Sequence, residues 1–595
     1  MDTMVGRLAP IDPDELEQFL DTFFAEQMTE LHIPGVVVVL IQDGEILLSK
    51  GYGFANLEEP VPINPDETLV RIGSVSKLFV ATAVMQLVER GKLDLHTDVN
   101  QYLGTFQING DYPEPVTLAH LLTHTAGFDD YWSNTTDPTK IQPLGPYLAE
   151  RMPPRVIPTG EIISYSNHGY ALAAYIVERA SGIAFDQYVK ENILRPLGMD
   201  RSGYLLSPPI PPDLAVGYFY ENGTYTPQPI DYDDDYPGGS LVSSATDMAK
   251  FMLAHLQDGC YQNVCILQPA TIAEMHRQQF TNHPQLAGWT YGFVEGFGNE
   301  QRLIGHSGAI RGFASDITLL PEHNLGYFVA FNHECAGSLA CKLIPALREQ
   351  FLDRYFPAAP ASLPSYTPKT ELARLAGCYR HSRYYRSTVL KTTVLGHDVS
   401  VKTNDSGIVV DGTEYVEIAP LLFQEIGSQD RIAFREDSKG NITYMFRPAA
   451  YEKLAWYETS SFNQALFDGW GWTWGAVVLA QLLALLIRRW RKQPSMTPFA
   501  RRAHWLTVSI GILNVIFMIS LIHIFWISRT TMTVMLILPL VSAVLTAGML
   551  FVTGNIWRRK IGSATGRIYY SLVTLMAVLF SWFLHSWNFL GFRFG

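Results

Sequence analysis

Positive charge is scarce in this sequence. Its 595 residues carry 44 lysines and arginines against 57 aspartates and glutamates, a net charge of -13. A nucleic-acid binder needs a basic footprint, so that class is excluded. Charged residues of either sign reach only 17% while hydrophobic ones reach 47%, which excludes a disordered chain. Cysteine is also rare, and five residues cannot build a disulfide scaffold. Cys260 with Cys265 and Cys335 with Cys341 are spaced for two local staples, free buried thiols being the alternative; Cys378 is left over. Internal repeats and low-complexity tracts are missing. Met1 to Asp14 has neither a basic nor an apolar stretch, so no export signal is visible in this numbering.

What is abundant is apolar sequence, and it gathers at one end. After Gly469 four stretches, 470–487, 505–527, 532–553 and 568–589, are each roughly bilayer length, for which ~17–25 residues suffice. Tryptophans mark their ends (Trp470, Trp505, Trp526, Trp557, Trp587), as interfacial belts do. Arg488, Arg489, Arg491, Lys492, Arg501 and Arg502 follow the first stretch, and Arg558, Arg559, Lys560 and Arg567 the third. Alternating spans put both clusters on one side, which the positive-inside rule makes the cytoplasm. The expected transmembrane region covers 468–595, with the lipid bilayer as its partner and the rest of the chain extracytoplasmic.

The remainder reads as soluble. Leu16, Phe19, Leu20 and Phe23 recur at helical spacing within Asp14–Glu30. Val36–Gln42 and Glu45–Lys50 are β-rich and joined by Asp43-Gly44, a hairpin signal. Helical patterns follow over Ser74–Arg90, Thr117–Leu122, Gly169–Ala180, Ala245–Leu256 and Pro269–Arg277, then two strand-like runs joined around His323-Asn324. This order predicts an α/β (α+β) unit over 14–356, with an antiparallel sheet assembled from both ends of the segment and flanked by helices. Pro357–Pro368 is rich in Pro, Ala and Ser and reads as a linker, 357–370. Short β-rich runs split by Asp405-Ser406-Gly407, Asp411-Gly412 and Lys439-Gly440-Asn441 predict a small all-β barrel or sandwich over 371–460.

Chemistry-bearing residues occur in three places. Ser74-Val75-Ser76-Lys77 opens a predicted helix, where positions three apart share a face, so Lys77 can aim its amine at Ser74. A serine hydroxyl needs such a base, and a first-turn serine has free backbone N–H groups nearby for a developing oxyanion. Lysine as base requires burial or a neighbouring cation. Tyr165-Ser166-Asn167 precedes another helix; Tyr-x-Asn recurs at Tyr220 and Tyr261 and is uninformative alone. His306-Ser307-Gly308 is the sole His-x-Gly and leads into the strand pair. His120, His124 and His168 show no ligand pattern, so no metal and no cofactor is implied.

In this order, Ser-x-x-Lys, Tyr-x-Asn and His-x-Gly resemble the signature of serine β-lactamases and penicillin-binding proteins. Flanking stretches resemble the class C β-lactamase branch: Arg71-Ile72-Gly73 before Ser74, Leu121-Leu122-Thr123-His124-Thr125-Ala126-Gly127, Leu197-Gly198-Met199, Pro237-Gly238-Gly239-Ser240-Leu241 and Gly305-His306-Ser307-Gly308. The resemblance selects Tyr165 among the tyrosines. It implies Ser74 as acylated nucleophile, Lys77 and Tyr165 sharing the proton work, and Asn167 holding a substrate amide. It also places His306 and Gly308 at the substrate and pairs the N–H groups of Ser74 and Ala309 as oxyanion hole. His306 stands where β-lactamases usually carry lysine, a departure that counts against β-lactam hydrolysis. The segment around Gly377-Cys378-Tyr379-Arg380 resembles the lipocalin-like domain attached to some of these hydrolases. Domain order resembles the peptidases that remove an acyl-D-amino-acid cap from exported prodrug metabolites.

The resulting expectation is a membrane-anchored extracytoplasmic serine hydrolase of peptidase or esterase type, cleaving amide bonds of a small peptide or amide substrate. The alternatives are an esterase or β-lactamase of the same superfamily, or a β-lactam- or peptide-binding membrane sensor.

Overall fold

The computed structural model describes residues 10–110, 112–131, 134–335, 338–358, 363–364, 366, 370–521 and 529–593. Much of the expected linker at 357–370, the first nine residues, and positions 522–527 of the second apolar stretch lie outside the described residues. The chain forms two compact units, Met1–Leu375 with Lys402–Tyr451, and Ala376–Val401 with Glu452–Gly595.

The first unit is built on an antiparallel sheet of seven strands. In chain order these are β1 (Gly35–Gln42), β2 (Glu45–Asn56), β3 (Val61–Pro62), β4 (Val294–Gly298), β5 (Gln301–Ile310), β6 (Phe313–Leu320) and β7 (Leu325–Phe331). Their spatial order is β4-β5-β6-β7-β1-β2-β3, so the two ends of the segment meet where β1 pairs with β7, Val36 opposite Phe331. Asp43 and Gly44 both take positive φ, 51° and 92°, as the tight hairpin predicted there requires. Every residue of β1 is buried, because the sheet is covered on both faces. Val36, Val38 and Leu40 pack with α1 (Pro13–Leu31) and the late helix Leu343–Tyr355. Val37, Val39 and Ile41 face the larger core, which includes α2 (Lys77–Glu89) and α3 (Asn167–Ser181).

Helix ends follow local chemistry. The Asp12 carboxylate accepts from Asp14 N–H at the start of α1, one residue before the predicted boundary, and Ser166 Oγ accepts from Gly169 N–H at the start of α3. The stretch that carries Ser74 differs from expectation. Gly73–Ser76 is a 3₁₀ turn, entered through a left-handed φ of 51° at Gly73, and α2 begins only at Lys77.

Eight short strands from Gly377–His381 to Ala449–Lys453 close into a barrel. Both cysteine pairs are disulfide-bonded, Cys260 to Cys265 and Cys335 to Cys341, leaving Cys378 as the free thiol. Among the described residues four helices are long and apolar enough to cross a membrane: Ser460–Trp490, Pro498–Ser520, Arg529–Arg558 and Ala564–Ser586. The first starts ten residues before its apolar stretch because the Thr459 hydroxyl accepts from Phe462 N–H and caps it. Two pairs of polar side chains meet inside this bundle: His504 Nδ1 lies 2.6 Å from Gln481 Oε1, and the Thr553 and Thr574 hydroxyls are 2.8 Å apart.

Candidate active site

The Gly73–Ser76 turn is held from three directions. Ile72 N–H donates to Leu241 O, Ser315 Oγ donates to Ile72 O at 2.7 Å, and Ser76 Oγ donates to Gly73 O while accepting from Leu241 N–H. Close approach of β5 completes the frame. A Cβ on Gly308 would come within 2.1 Å of Ile72 O, and one on Gly73 within 2.8 Å of Ala309 N. Ser74 and the Ala309 N–H are therefore neighbours across a contact that only two glycines permit. A Gly308→Ala substitution pushes β5 away from the turn; the expected result is a loss of Ser74 acylation rate of about 10²-fold, the scale of one oxyanion donor, read by stopped-flow labelling.

Lys77 is fully buried, and its Nζ sits 3.0 Å from Ser74 Oγ and 2.8 Å from Gly238 O. Gly238 has no side chain to obstruct it: an added Cβ would meet Nζ at 3.2 Å. Nζ also stands 5.0 Å from the Tyr165 ring centroid. Tyr165 is stacked on His124, centroids 4.1 Å apart, with Trp289 at 6.0 Å and His306 at 6.1 Å. The sequence shows no metal-ligand pattern at His124. The structure places it under Tyr165, its Nδ1 accepting from Ser166 N–H, with its backbone in the left-handed region. Its place in the Leu-Leu-Thr-His-Thr-Ala-Gly stretch was the available signal, whereas nothing in the sequence singled out Trp289. Asn167 begins α3 with its Oδ1 buried and without a protein partner.

His306 is buried, and burial reinforced by the Lys77 charge pushes its pKa down to about 3. Its Nδ1 is 2.7 Å from Ser307 O, an acceptor, so Nδ1 carries the proton. Nε2 has no protein partner and presents a lone pair. The ring is thus a neutral acceptor. A depressed histidine pKa means the native state binds fewer protons than the unfolded one below about 6.5, so this group withdraws stability as pH falls from there toward 3. Imidazole NMR signals of His306 are expected to stay constant from pH 8 to pH 5; a midpoint near 6.5 would contradict the burial argument.

A set of carboxylates adjoins the lysine. Burial raises Asp233 well above the usual range, reinforced by the charges of Asp235 and Asp231, and raises Asp235 to about 6 against the pull of Lys77. Asp231 itself is tied to Arg71, Nη1 to Oδ1 at 2.6 Å and Nη2 to the main-chain oxygen at 2.8 Å. No grouping of three or more His, Cys, Asp or Glu suited to a metal ion occurs among the described residues.

Residues 20–350 match the family model described as Beta-lactamase. The chain is 25% identical over 328 residues to Protein flp of Staphylococcus aureus (strain MRSA252), covering 54% of this chain and 63% of that one. It is 32% identical over 238 residues to PbpX of Bacillus subtilis (strain 168), a protein named as a penicillin-binding protein, covering 39% and 58%. It thus spans less than two thirds of the length of these curated relatives. The crystal structure of SurE superposes with a TM-score of 0.54 at 23% identity, covering 74% of this chain and 100% of that one, a likeness of fold. The chain belongs to the β-lactamase family of serine hydrolases and penicillin-binding proteins.

Proposed function

We propose that this protein is a membrane-anchored serine hydrolase that cleaves an amide bond through an acyl-enzyme on Ser74. The observation that carries this is the amine of Lys77 at 3.0 Å from the Ser74 hydroxyl, fixed from behind by Gly238 O. Lys77 takes the hydroxyl proton as Ser74 Oγ attacks the carbonyl carbon. The N–H groups of Ser74 and Ala309 receive the oxyanion. Tyr165, beside the lysine and braced by His124, returns a proton to the leaving nitrogen. Asn167 Oδ1, buried and free of protein partners, accepts from the substrate amide. Water then releases the acyl group by the reverse proton path.

His306 and Gly308 lie along the substrate. A neutral imidazole gives no permanent cation for a β-lactam carboxylate, which favours peptidase or esterase chemistry over β-lactam hydrolysis. The basic clusters after the first and third membrane helices favour a cytoplasmic location for those loops and an extracytoplasmic hydrolase domain. Incubation of the full chain in detergent with a fluorophosphonate probe, followed by peptide mapping, tests the reading. Label on Ser74 is expected; a folded sample whose Ser74 remains unmodified would refute it.

A further inference from the structure

A cavity of about 250 Å³ opens beside Tyr165 and His306, and its charges bear on what the site accepts. It lies where β4 leaves β5, with Val294 opposite Gly305 and Gly296 opposite Leu303, so two glycines contribute no side chain to its wall. The ionic groups lining it are Glu295, Asp316 and Arg348. Arg348 is the sole cation among these lining residues, and it is already engaged. Its Nη2 lies 3.2 and 3.4 Å from the two oxygens of Asp316. Asp316 is 1% exposed and also accepts from Ser307 Oγ at 2.6 Å and Thr318 Oγ1 at 2.8 Å. Ser307 is the residue between His306 and Gly308 on β5, so the carboxylate is bonded directly to the strand that borders the cleft. Glu295 is likewise committed, to Arg302 Nε at 2.7 Å, and adds a second negative charge. His306 supplies no positive charge to the cavity wall.

We propose that Asp316 sets leaving-group specificity: by occupying Arg348 and Ser307 from inside, it makes this side of the cleft reject a carboxylate. The substrates are then amides or esters whose departing half carries no carboxylate group. A substrate carboxylate entering the cavity would meet two fixed carboxylates and an arginine whose charge is already paired through Nη2 with Asp316, and unpaired like charge is how a site discriminates against a close analogue. This specificity presupposes the Ser74 acyl-enzyme proposed above.

Hippuryl thioesters of mercaptoacetamide and mercaptoacetate, which share one achiral acyl half, test it on the full chain in detergent. Ser74 Oγ attacks the carbonyl carbon, the C–S bond breaks, the thiol departs with a proton, and water then cleaves the acyl-serine ester. Released thiol gives kcat/KM for each. The wild-type protein is expected to favour the amide-bearing thioester by at least tenfold. Asp316→Asn, which keeps the shape and frees Arg348, should narrow that ratio at least fivefold. Arg348→Gln, which leaves Asp316 without its counter-charge, should widen it. The ratio within each variant cancels any general loss of folded protein. Equal kcat/KM for both thioesters in the wild type, or an unchanged ratio in Asp316→Asn, overturns the specificity while leaving the acyl-enzyme intact. Failure of the wild type to turn over either thioester or to take label on Ser74 overturns the acyl-enzyme and the specificity with it.

Discussion

Replacing Ser74 with alanine should remove all covalent labelling and lower turnover by on the order of 10⁶-fold, the scale seen when a serine nucleophile is deleted from a hydrolase. The size follows from the route. Without the hydroxyl there is no acyl-enzyme, and only binding and the N–H groups of the turn remain to favour direct attack by water. Lys77→Ala should fall nearly as far, because its Nζ reaches both Ser74 Oγ and Gly238 O, and because residues acting as one unit are not additive. The double variant should be scarcely worse than either single one. Intact-protein mass after probe treatment reads the covalent step, and turnover of a thioester reads the rest. A Ser74→Ala protein that retains more than about a hundredth of wild-type kcat/KM would remove this serine from the chemistry.

Arg71→Met should be the most destabilising single change near the site. Arg71 and Asp231 are 2% and 5% exposed, and their bond spans 160 residues of sequence to tie the strand before the Ser74 turn to the segment before Gly238. Breaking a buried pair costs about 3–5 kcal/mol, and Arg311, whose Nε lies 3.7 Å from the other Asp231 oxygen, offsets part of that. The neighbourhood makes this worse. Asp233 is already pushed upward by Asp235 and Asp231, and Arg71 is one of the charges that holds it down. Removing the guanidinium leaves several carboxylates together. The expected result is a large drop in the apparent unfolding temperature of the detergent-solubilised chain. The double change Arg71→Met/Asp231→Leu should recover most of it, since a buried pair replaced by apolar groups of similar size is often neutral. A single variant that melts with the wild type would refute the argument.

The parts of this protein that sequence exposed were those governed by short-range rules. Hairpin chemistry at Asp43-Gly44, the apolar runs after Gly469 and the three-residue spacing of Ser74 and Lys77 each depend on neighbours within a few positions. The 3₁₀ geometry of the Ser74 turn was not legible, because it rests on Gly73 and Gly308 meeting main-chain atoms of Ala309 and Ile72 from distant segments. The Leu-Leu-Thr-His-Thr-Ala-Gly stretch marks His124, but its stacking on Tyr165 needs two loops brought together, which no local pattern encodes. The Arg71–Asp231 and Arg348–Asp316 pairs were invisible for the same reason, since no local pattern links an arginine to an aspartate 160 or 32 positions away. The cysteine pairs, left open between disulfides and free thiols, were decided by the small loops that bring each pair into reach.

The pairing of β1 with β7 has a consequence for biosynthesis. The run Val36-Val37-Val38-Val39-Leu40-Ile41 leaves the ribosome with one flank covered by β2, while its other partner is encoded roughly 290 residues later. At about 5–20 residues per second, that flank waits some 15–60 s as a bare, strongly aggregation-prone edge. Holding by a chaperone, or passage across a membrane before folding, would therefore govern how much of this protein reaches its mature state.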